Sequence, residues 1–285
     1  MLGIYILARR MTLSDSKLSA ALDVMKTNGA GVEVDNVTVS FGGVTALSRL
    51  SFEIKAGEIF GIIGPNGAGK TTLFNCLSTI CRPRSGSVRV DGQELVGAGT
   101  GELVRLRIAR TFQNLGVLEK ADPTENILLG RHSLMKAGVF STSLRLRKAL
   151  HEENEHRAKA LEIAMMLGLG EYIGRLCEVL PYGVRKRVEL GRALASEPRL
   201  LLLDEPVAGM NLHERDVMVR YISQINARGT TIILVEHDMS FVMKLVSRVL
   251  VLDFGEAIAC GTPAEIQTNP RVIEAYMGHS HDGRF

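Results

Sequence analysis

The segment from residue 64 to residue 71, GPNGAGKT, constrains the fold of this chain more than any other feature. It fits the pattern G-x-x-x-x-G-K-[ST], which defines a P-loop. Glycines allow successive backbone N–H groups to converge on phosphate oxygens, because no side chain stands in the way. In such a loop the lysine, here Lys70, reaches the β- and γ-phosphates, and the hydroxyl of Thr71 holds Mg²⁺. The segment therefore predicts a nucleotide-binding core.

The sequences on either side of this loop support that interpretation. Residues 58–63, EIFGII, predict a buried strand, and residues 71–75, TTLFN, predict the start of a helix. Phosphates bound in the loop would then lie at the positive end of a helix. The alternative, a glycine-rich turn without a nucleotide, is disfavoured by this strand–loop–helix order. The residues expected to bind the nucleotide are Gly64, Pro65, Asn66, Gly67, Ala68, Gly69, Lys70, Thr71 and Thr72.

Composition gives no support to several other classes of protein. The chain has 285 residues, and its net charge of +3 is mild and spread along the sequence, which gives no case for a nucleic-acid partner. The four cysteines lack the spacing of a metal site and are expected to be reduced thiols. No apolar run approaches the ~18 residues of a membrane span. The first ten residues are apolar and then basic, the reverse of a secretory signal, so a cytosolic protein is expected.

Hydrophobic patterning divides the chain into regions. Residues 1–30 are expected to be a flexible extension, although residues 14–16 could cap a short helix and Met11 or Met25 could be the true start. From Val32 short strands alternate, with a turn expected at Asp35–Asn36. Residues from about 99 to about 185 are expected to form a helical subdomain. Within it, residues 144–167 predict one or two helices, and the charged cluster at 151–157 predicts a solvated face.

After Leu180 the pattern returns to alternating strands and helices. Residues 200–203 and 231–235 are continuous apolar runs, typical of central parallel strands that are covered on both faces. Residues 249–252 and 255–259 predict a hairpin. The predicted fold is therefore α/β, a P-loop NTPase core with a parallel sheet, helices and an antiparallel β subdomain. Residues 31–285 are expected to form a single domain into which the helical subdomain is inserted.

Two acids follow the first of these apolar runs. Ligands of open α/β sheets bind at the carboxyl ends of the strands, so Asp204 and Glu205 are expected to face the P-loop. Asp204 suits the shell of Mg²⁺, reached through a water molecule, and Glu205 suits polarising the water that attacks the γ-phosphate. The alternative is a surface turn. His237 follows the second run and could donate to a γ-phosphate oxygen, and its position after the two acids favours this over a structural role.

Two further segments are weaker signals by themselves. Residues 180–190, LPYGVRKRVEL, predict a turn that enters a helix, and Gly183 at the helix start is a second possible anion site. Gln113, in RTFQN, lies where the core gives way to the helical stretch. Neither segment would indicate a function alone.

Four elements, taken in chain order, resemble the nucleotide-binding subunit of ATP-binding cassette (ABC) transporters: the P-loop, the LPYG segment, the two acids after the apolar run, and His237. The resemblance covers about residues 32–278. A narrower resemblance, to the branched-chain amino acid uptake subfamily, is carried by five segments. They are LPYG at 180–183, EPVAGMN at 205–211, VEHDM at 235–239, GTP at 261–263, and the tail with NP at 269–270 and EAYMG at 274–278.

The resemblance implies an activity and a set of partners. It implies an ATP-hydrolysing subunit, with Mg²⁺, that drives a membrane importer of branched-chain or related amino acids. The implied partners are two integral-membrane permease subunits and a second, homologous ATPase, with a heterodimer favoured over a homodimer. A solute-binding protein would be an indirect partner, and no nucleic acid is expected. The implied location is peripheral, at the cytoplasmic face of the inner membrane.

The family's dimer implies roles for further residues. Two ATPase subunits form a head-to-tail sandwich in which each ATP lies between one P-loop and the other subunit's signature, here Tyr182 and Gly183. Phe41 would stack on adenine, the alternative being a core phenylalanine. Gln113 would contact Mg²⁺ or the attacking water and sense the membrane subunit. Residues 122–126, DPTEN, would help form the groove for that subunit's coupling helix, and His237 would be the γ-phosphate switch.

The signature departs from the family's usual Leu-Ser-Gly-Gly-Gln. Pro181 replaces the serine, Tyr182 the first glycine and Val184 the glutamine, and Pro181 is expected at the first helical position. This half-site is therefore expected to bind phosphate through the Gly183 backbone and the helix field rather than through a hydroxyl. Asn211 stands where many relatives carry an aspartate, which puts its contact across the dimer in doubt.

Other functions remain as alternatives. An ATPase of another ABC system, such as a lipopolysaccharide-transport exporter, would share these motifs. A soluble ABC ATPase of DNA repair or translation usually carries long coiled coils or two cassettes. A GTPase needs an Asn/Thr-Lys-x-Asp segment, and residues 119–122, EKAD, lack its first residue. A small-molecule kinase is a further P-loop alternative.

Overall fold

A computed structural model describes residues 27–111, 116–135 and 147–278 of the chain. Within them, strands form a six-stranded sheet of order β10-β9-β3-β8-β7-β6 and a four-stranded sheet of order β2-β1-β4-β5. The strands are β1 Val32–Phe41, β2 Val44–Ile54, β3 Ile59–Ile63, β4 Ser85–Val90, β5 Gln93–Glu94, β6 Ile108–Arg110, β7 Leu200–Asp204, β8 Thr231–Val235, β9 Arg248–Asp253 and β10 Glu256–Gly261. The α-helices are α1 Lys70–Leu77, α2 Thr100–Arg105, α3 Pro123–Gly130, α4 Arg147–Met166, α5 Tyr182–Leu194, α6 Leu212–Asn226, α7 Met239–Leu245, α8 Pro263–Gln267 and α9 Pro270–Gly278. Short 3-10 turns lie at His132–Leu134, Gly170–Tyr172 and Cys177–Val179.

The six-stranded sheet is the centre of the fold. Every residue of β3, β7 and β8 is buried, which explains why their sequences are continuous apolar runs rather than alternating ones. The predicted parallel pairing is confirmed, and Asp204 at the end of β7 lies opposite Val235 at the end of β8. β3 pairs in parallel with β8 on one side and β9 on the other. The loops after β3, β7 and β8 therefore open at one edge of the sheet.

The smaller sheet is antiparallel, as predicted, but one of its details differs. The turn expected at Asp35–Asn36 is wrong, because β1 is a continuous strand that pairs with both β2 and β4. Its register against β2 shifts between Val34 and Val37, and Asn36 has a φ of +49°. Asparagine adopts the left-handed region more easily than most residues, so the chain bulges there without leaving the sheet. The predicted hairpin of β9 and β10 is confirmed.

The helical region contains one strand that the sequence pattern did not reveal. β6 pairs in parallel with β7 at the edge of the large sheet, inside the stretch expected to be helical from about residue 99. Its three residues are too few to show a periodicity. The helices that stand apart from the sheet therefore begin after β6.

Residues 144–167 were expected to form either one helix or two, and in their described part they form one helix, α4. Ala160, Ile163, Ala164 and Leu167 are fully buried in its last turns and just after it, at the spacing of one helix face. The charged cluster at 151–157 is mostly exposed. Glu152 and His156 are partly buried, and His156 Nδ1 accepts a hydrogen bond of 2.9 Å from Nε of buried Arg131.

The packed region starts earlier than residue 31. Ala30 is fully buried, the Thr27 amide donates to the Arg228 carbonyl at 2.8 Å, and a Cβ on Gly29 would lie 2.5 Å from the Gly229 carbonyl oxygen. Residues 27–30 thus belong to the fold, which corrects the predicted end of the flexible extension. The possible helix near residues 14–16 lies outside the described residues. In the ranges given above, no helix combines the length and apolar character needed to cross a bilayer.

Candidate active site

The P-loop connects β3 to α1, and two of its glycines cannot be replaced without a clash. Gly64 has a φ of +153°, and a Cβ there would lie 2.2 Å from the Leu252 carbonyl oxygen. Gly69 has a φ of +98°, and a Cβ there would lie 2.7 Å from the Ala46 carbonyl oxygen. By contrast, the space around a Cβ on Gly67 is open. The loop is therefore packed on β2 and β9 and leaves an open concave side.

The side chain of Lys70 lies across this loop. Its Nζ donates to the carbonyl oxygens of Gly64 at 2.7 Å and Pro65 at 2.8 Å. Partial burial lowers the pKa of Lys70, and the nearby charge of Glu205 opposes that shift. The first turn of α1 carries no side-chain cap for its N–H groups, and Thr71 in this turn is exposed. These donors fit the phosphates of a nucleotide.

The two predicted acids lie at the end of β7. Asp204 is buried, its Oδ2 accepts from Arg110 at 2.8 Å, and its amide donates to the Thr111 hydroxyl at 3.3 Å. Glu205 has a φ of +45°, a conformation that costs free energy for a residue with a side chain. Its amide donates to the Val235 carbonyl at 3.0 Å. The backbone of Glu205 is thus strained at the point where the chain leaves β7, on the side of the P-loop.

His237 follows β8 and has an exposed side chain. Its Nδ1 lies 3.9 Å from Glu205 Oε1 and 3.7 Å from Glu236 Oε2. The structure therefore brings Lys70, Asp204, Glu205 and His237 to one edge of the sheet, as the sequence analysis expected. Carboxylate and hydroxyl oxygens are the ligands that Mg²⁺ prefers, and Asp204 and Thr71 are the residues of this site that could supply them. Gln113 lies outside the described residues.

Glu236 is a buried acid that the sequence analysis did not single out. Its oxygens accept from the amides of Val207 at 3.0 Å and His237 at 3.2 Å. Burial raises the pKa of Glu236, and these two hydrogen bonds partly offset the shift. The side chain thereby ties the segment after β7 to the segment after β8. An acid directly after a wholly apolar strand was the available signal.

The signature residues belong to a second cluster, at the start of α5. A Cβ on Gly183 would lie 2.4 Å from Glu214 Oε1, and one on Gly209 would lie 3.2 Å from the Tyr182 ring. Glu214 and Asn211 form a reciprocal capping box at the start of α6, with both hydrogen bonds at 3.0 Å. No hydrogen bond among the described residues joins Tyr182 or Gly183 to the P-loop, Glu205 or His237. The signature cluster is thus built with α6.

Pro181 lies one position earlier than expected. It precedes α5, with a φ of −54°, instead of occupying the first helical position. Its carbonyl accepts from the amides of Val184 at 3.0 Å and Arg185 at 3.1 Å. No side chain caps this helix, so among the described residues the amides of Tyr182 and Gly183 are the ones left for a ligand.

Phe41 ends β1 and is 56% exposed, which excludes the alternative of a core phenylalanine. It pairs with Val44 across the tight turn to β2. The carbonyl of Ala46, two residues further along β2, lies close to Gly69 of the P-loop. The exposed ring is therefore carried by the same hairpin that packs against the P-loop.

Residues 122–126 begin α3. Asp122 and Glu125 form a capping box, and buried Asn126 exchanges hydrogen bonds with the backbone of Leu118 at 2.7 and 3.0 Å. Beside this turn lies an apolar groove in which Leu118 and Leu129 are exposed. Its lining residues are Leu118, Ala121, Glu125, Leu128, Leu129, His132 and Met135.

A contact from the carboxyl-terminal helix also reaches the site. The Tyr276 hydroxyl of α9 is buried, which raises the pKa of Tyr276 to about 12, and the Gly64 backbone lies close enough to oppose this shift. The first glycine of the P-loop is thereby contacted by α9. The sequence offered no signal for it beyond the tail motif.

Two segments of the chain match models of known protein families. Residues 47–208 match the family of ABC transporters, and residues 258–282 match the family described as branched-chain amino acid ATP-binding cassette transporter. The second match covers the segment that carries Tyr276.

Relatives and solved structures agree. The chain is 38% identical over 251 residues to the high-affinity branched-chain amino acid transport ATP-binding protein LivG of Salmonella typhimurium, covering 87% of this chain and 97% of LivG. It is 36% identical over 254 residues to BraF of Pseudomonas aeruginosa, a protein of the same description, with 87% and 98% covered. The ADP conformation of the ATP-binding cassette MJ1267 superposes with a TM-score of 0.77 at 28% identity, covering 87% of this chain and 99% of that one. The chain therefore belongs to the ABC transporter family, as one of the ATP-hydrolysing subunits, in the group of branched-chain amino acid transport ATP-binding proteins.

Proposed function

We propose that this chain drives the import of branched-chain or related amino acids by hydrolysing ATP, as a peripheral subunit at the cytoplasmic face of the inner membrane. The observation that carries the hydrolytic part is the meeting of Lys70, Glu205 and His237 at one sheet edge. The substrate class rests on the names of the relatives and on the match of the carboxyl-terminal segment.

The P-loop residues 64–72 bind the triphosphate in this proposal. Lys70 exchanges its two carbonyl acceptors for β- and γ-phosphate oxygens, which are stronger acceptors because they are charged. The amides of the first turn of α1 supply the remaining donors. Phe41 stacks on the adenine, since its ring is exposed on the hairpin that packs against the loop.

Glu205 and His237 act on the reacting atoms. The Glu205 carboxylate orients the attacking water and accepts its proton, and the His237 side chain donates to a γ-phosphate oxygen. Thr71, Asp204 and Gln113 would hold Mg²⁺, which would neutralise charge on the phosphates when bound. The strained backbone of Glu205 supports this assignment, since strain of this kind is concentrated at functional sites.

A second ATPase subunit completes the site. Gly183 packs against Glu214 of α6, and Tyr182 packs against Gly209 just before that helix. Among the described residues, neither forms a hydrogen bond with the P-loop of its own chain. The start of α5 has no side-chain cap, so it presents amides to a ligand. A head-to-tail dimer lets these amides bind the γ-phosphate held by the partner's P-loop. A heterodimer with a related ATPase is favoured by the subfamily likeness.

The groove beside α3 receives a permease. Leu118 and Leu129 are exposed there, and Glu125 and His132 also line the groove, which suits a short amphipathic helix. Two permeases would each contact one ATPase in this way, and a solute-binding protein would be reached only through them. No nucleic-acid partner is proposed.

A membrane pull-down tests the proposal. The tagged Glu205→Gln variant is incubated with native membranes and Mg-ATP, which traps the dimer with ATP bound, then solubilised in mild detergent. Partners are identified by mass spectrometry. The expected result is two multi-span permeases and a second cassette, after which the solute-binding protein encoded with them is screened against amino acids. The Leu129→Glu variant, with a charge in the groove, is expected to lose the permeases and keep the cassette.

Two results would overturn the proposal. Recovery of soluble partners alone would indicate a soluble ABC ATPase. Permeases without a solute-binding protein, or one that binds no amino acid, would indicate another transport system.

A further inference from the structure

Arg110 connects α1 and β7, the two elements that carry Thr71 and Asp204, which are proposed to bind Mg²⁺. Its Nη2 donates to Asp204 Oδ2, at the end of β7, at 2.8 Å. Its Nη1 donates to Asn75 Oδ1 at 2.8 Å and to Ser78 Oγ at 2.6 Å, in α1 and directly after it. The guanidinium carbon also lies 4.8 Å from the centre of the Phe74 ring. One side chain thus joins the P-loop helix to the strand of the acids.

This arrangement is shielded from solvent. The side chains of Arg110 and Asp204 are 13% and 7% exposed. A buried carboxylate is costly unless a partner compensates its charge and hydrogen bonds hold it. The planar guanidinium can meet acceptors on two elements at once, whereas a lysine ammonium presents a single point of charge. The side chain therefore fixes the orientation of the carboxylate as well as compensating its charge.

We propose that Arg110 is a positioning residue for magnesium binding, an inference that rests on the proposed role of Asp204. Thr71 and Asp204 come from different elements, α1 and β7, and must be held at a fixed separation to share one ion. Arg110 ties those elements together and occupies Oδ2. In the described part of the chain Asp204 Oδ1 accepts no hydrogen bond, so this oxygen is left for the magnesium–nucleotide complex.

Two physical effects of Arg110 oppose each other, which makes the proposal testable. As a positive charge it repels Mg²⁺, so its neutralisation would tighten metal binding if repulsion dominated. As a holder of Asp204 it lowers the cost of presenting the carboxylate, so its loss would weaken metal binding. Partners of metal ligands typically contribute about 10–100-fold in metal affinity. We expect positioning to win, because the bonds to Asn75 and Ser78 hold the guanidinium in place and the bond to Oδ2 orients the Asp204 carboxylate.

The experiment measures Mn²⁺ binding, by electron paramagnetic resonance, to the full-length protein loaded with a non-hydrolysable ATP analogue. Arg110→Lys keeps the charge and removes the planar fork, whereas Arg110→Met removes both. Both variants are expected to weaken Mn²⁺ binding about 10–100-fold. Affinity for the same nucleotide in EDTA is expected to stay unchanged, because the P-loop contacts are separate.

Two kinds of control accompany these variants. Asn75→Ala removes one acceptor of Arg110 and leaves the pair with Asp204, so a smaller weakening in the same direction is expected. Arg105→Lys is the matched control, because Arg105 is an exposed arginine that also pairs with a carboxylate, Glu102, but lies on α2 away from the acids. It is expected to bind Mn²⁺ like the wild type. Urea midpoints show which variants are folded, and Arg110→Lys carries the test if Arg110→Met is not.

The outcomes separate this inference from the proposed function. Weaker Mn²⁺ binding with unchanged nucleotide affinity in EDTA supports positioning. Unchanged or tighter Mn²⁺ binding in folded Arg110→Lys overturns it and leaves the proposed function standing. Loss of nucleotide binding in EDTA also overturns it, since Arg110 would then maintain the P-loop itself. A wild-type protein that binds no nucleotide would defeat the proposed function instead.

Discussion

The catalytic edge and the signature cluster are held in place by different means. At the catalytic edge, Asp204, Glu205 and His237 follow strands that are buried along their whole length, and the buried Glu236 clamps the two segments together. In the signature cluster, Tyr182 and Gly183 are held by a glycine contact and by a capping box at a helix end. Strands buried along their whole length fix positions more firmly than helix ends do.

This difference indicates which part of the chemistry a single chain can perform. The catalytic edge contains donors for the phosphates, an acid for the water and a histidine beside that acid. The signature cluster contains the amides of Tyr182 and Gly183, which no side chain among the described residues caps. The chain should therefore bind ATP alone and need a second subunit to hydrolyse it at full rate. The predictions below separate binding from hydrolysis on that basis.

The largest effect is expected from Glu205→Gln. An amide cannot accept the proton of the attacking water, and general-base catalysis contributes about 10²–10⁴-fold to a rate. ATPase activity should therefore fall at least about a hundredfold in the assembled transporter. ATP affinity should stay unchanged, because the P-loop donors remain. Phosphate release and nucleotide titration measure the two quantities.

A matched control keeps this result specific. Glu53→Gln makes the same chemical change at an exposed position on β2. It should leave both quantities unchanged. Turnover of ATP by Glu205→Gln at the wild-type rate would remove Glu205 from its assigned role.

Lys70→Ala should act on binding itself. A hydrogen bond to a charged group contributes about 1.5–3 kcal/mol, so ATP affinity should fall roughly 10–100-fold. Lys55→Ala, at an exposed lysine in the turn before β3, is the control and should bind normally. Titration with a fluorescent ATP analogue measures both variants. Equal affinities would mean that Lys70 stays on the loop carbonyls when the nucleotide binds.

The Gly183→Ala variant tests whether the signature cluster affects hydrolysis without affecting ATP binding. The added Cβ would meet Glu214 Oε1 at 2.4 Å, so the start of α5 must shift unless the Glu214 side chain moves. We expect a several-fold loss of ATPase activity in the assembled transporter and no change in ATP affinity of the isolated chain. Adding Glu214→Ala should restore part of the activity by making room. A loss of ATP affinity would mean that the two regions are coupled within one chain.

The sequence predicted the catalytic edge well because each part of it has a local signal. GPNGAGKT carries the backbone geometry of the loop in its glycines, and LLLLDEP and TIILVEHD combine strand patterns with polar ends. Parallel strands bring their carboxyl ends to one edge, so Lys70, Glu205 and His237 could be placed together without coordinates. The family resemblance then added Phe41 and the signature.

Other features depend on tertiary contacts that no local pattern encodes. Arg110 lies in a three-residue strand, and its acceptors are 35 and 94 residues away along the chain. Asn36 looked like a turn because the same left-handed preference serves turns and bulges. Ala30 was assigned to the extension because its burial comes from contacts made elsewhere in the chain.

The smallest expected effect concerns Glu236, the buried clamp of the catalytic edge. Burial raises its pKa, so between the ordinary and the raised value the folded state binds more protons than the unfolded state. The contribution of Glu236 to stability is therefore present at low pH and lost as the pH rises through the raised pKa.

Urea unfolding of the wild type and of Glu236→Gln from pH 5 to pH 8 measures this, since the amide does not ionise. The wild type should lose stability relative to the variant as the pH rises, by about 1 kcal/mol for each unit of pKa shift. Glu153→Gln, at an exposed position of α4, controls for the chemical change. A wild type that instead gains on the variant would mean that the Val207 and His237 amides outweigh the burial, and the clamp would then be held as a carboxylate.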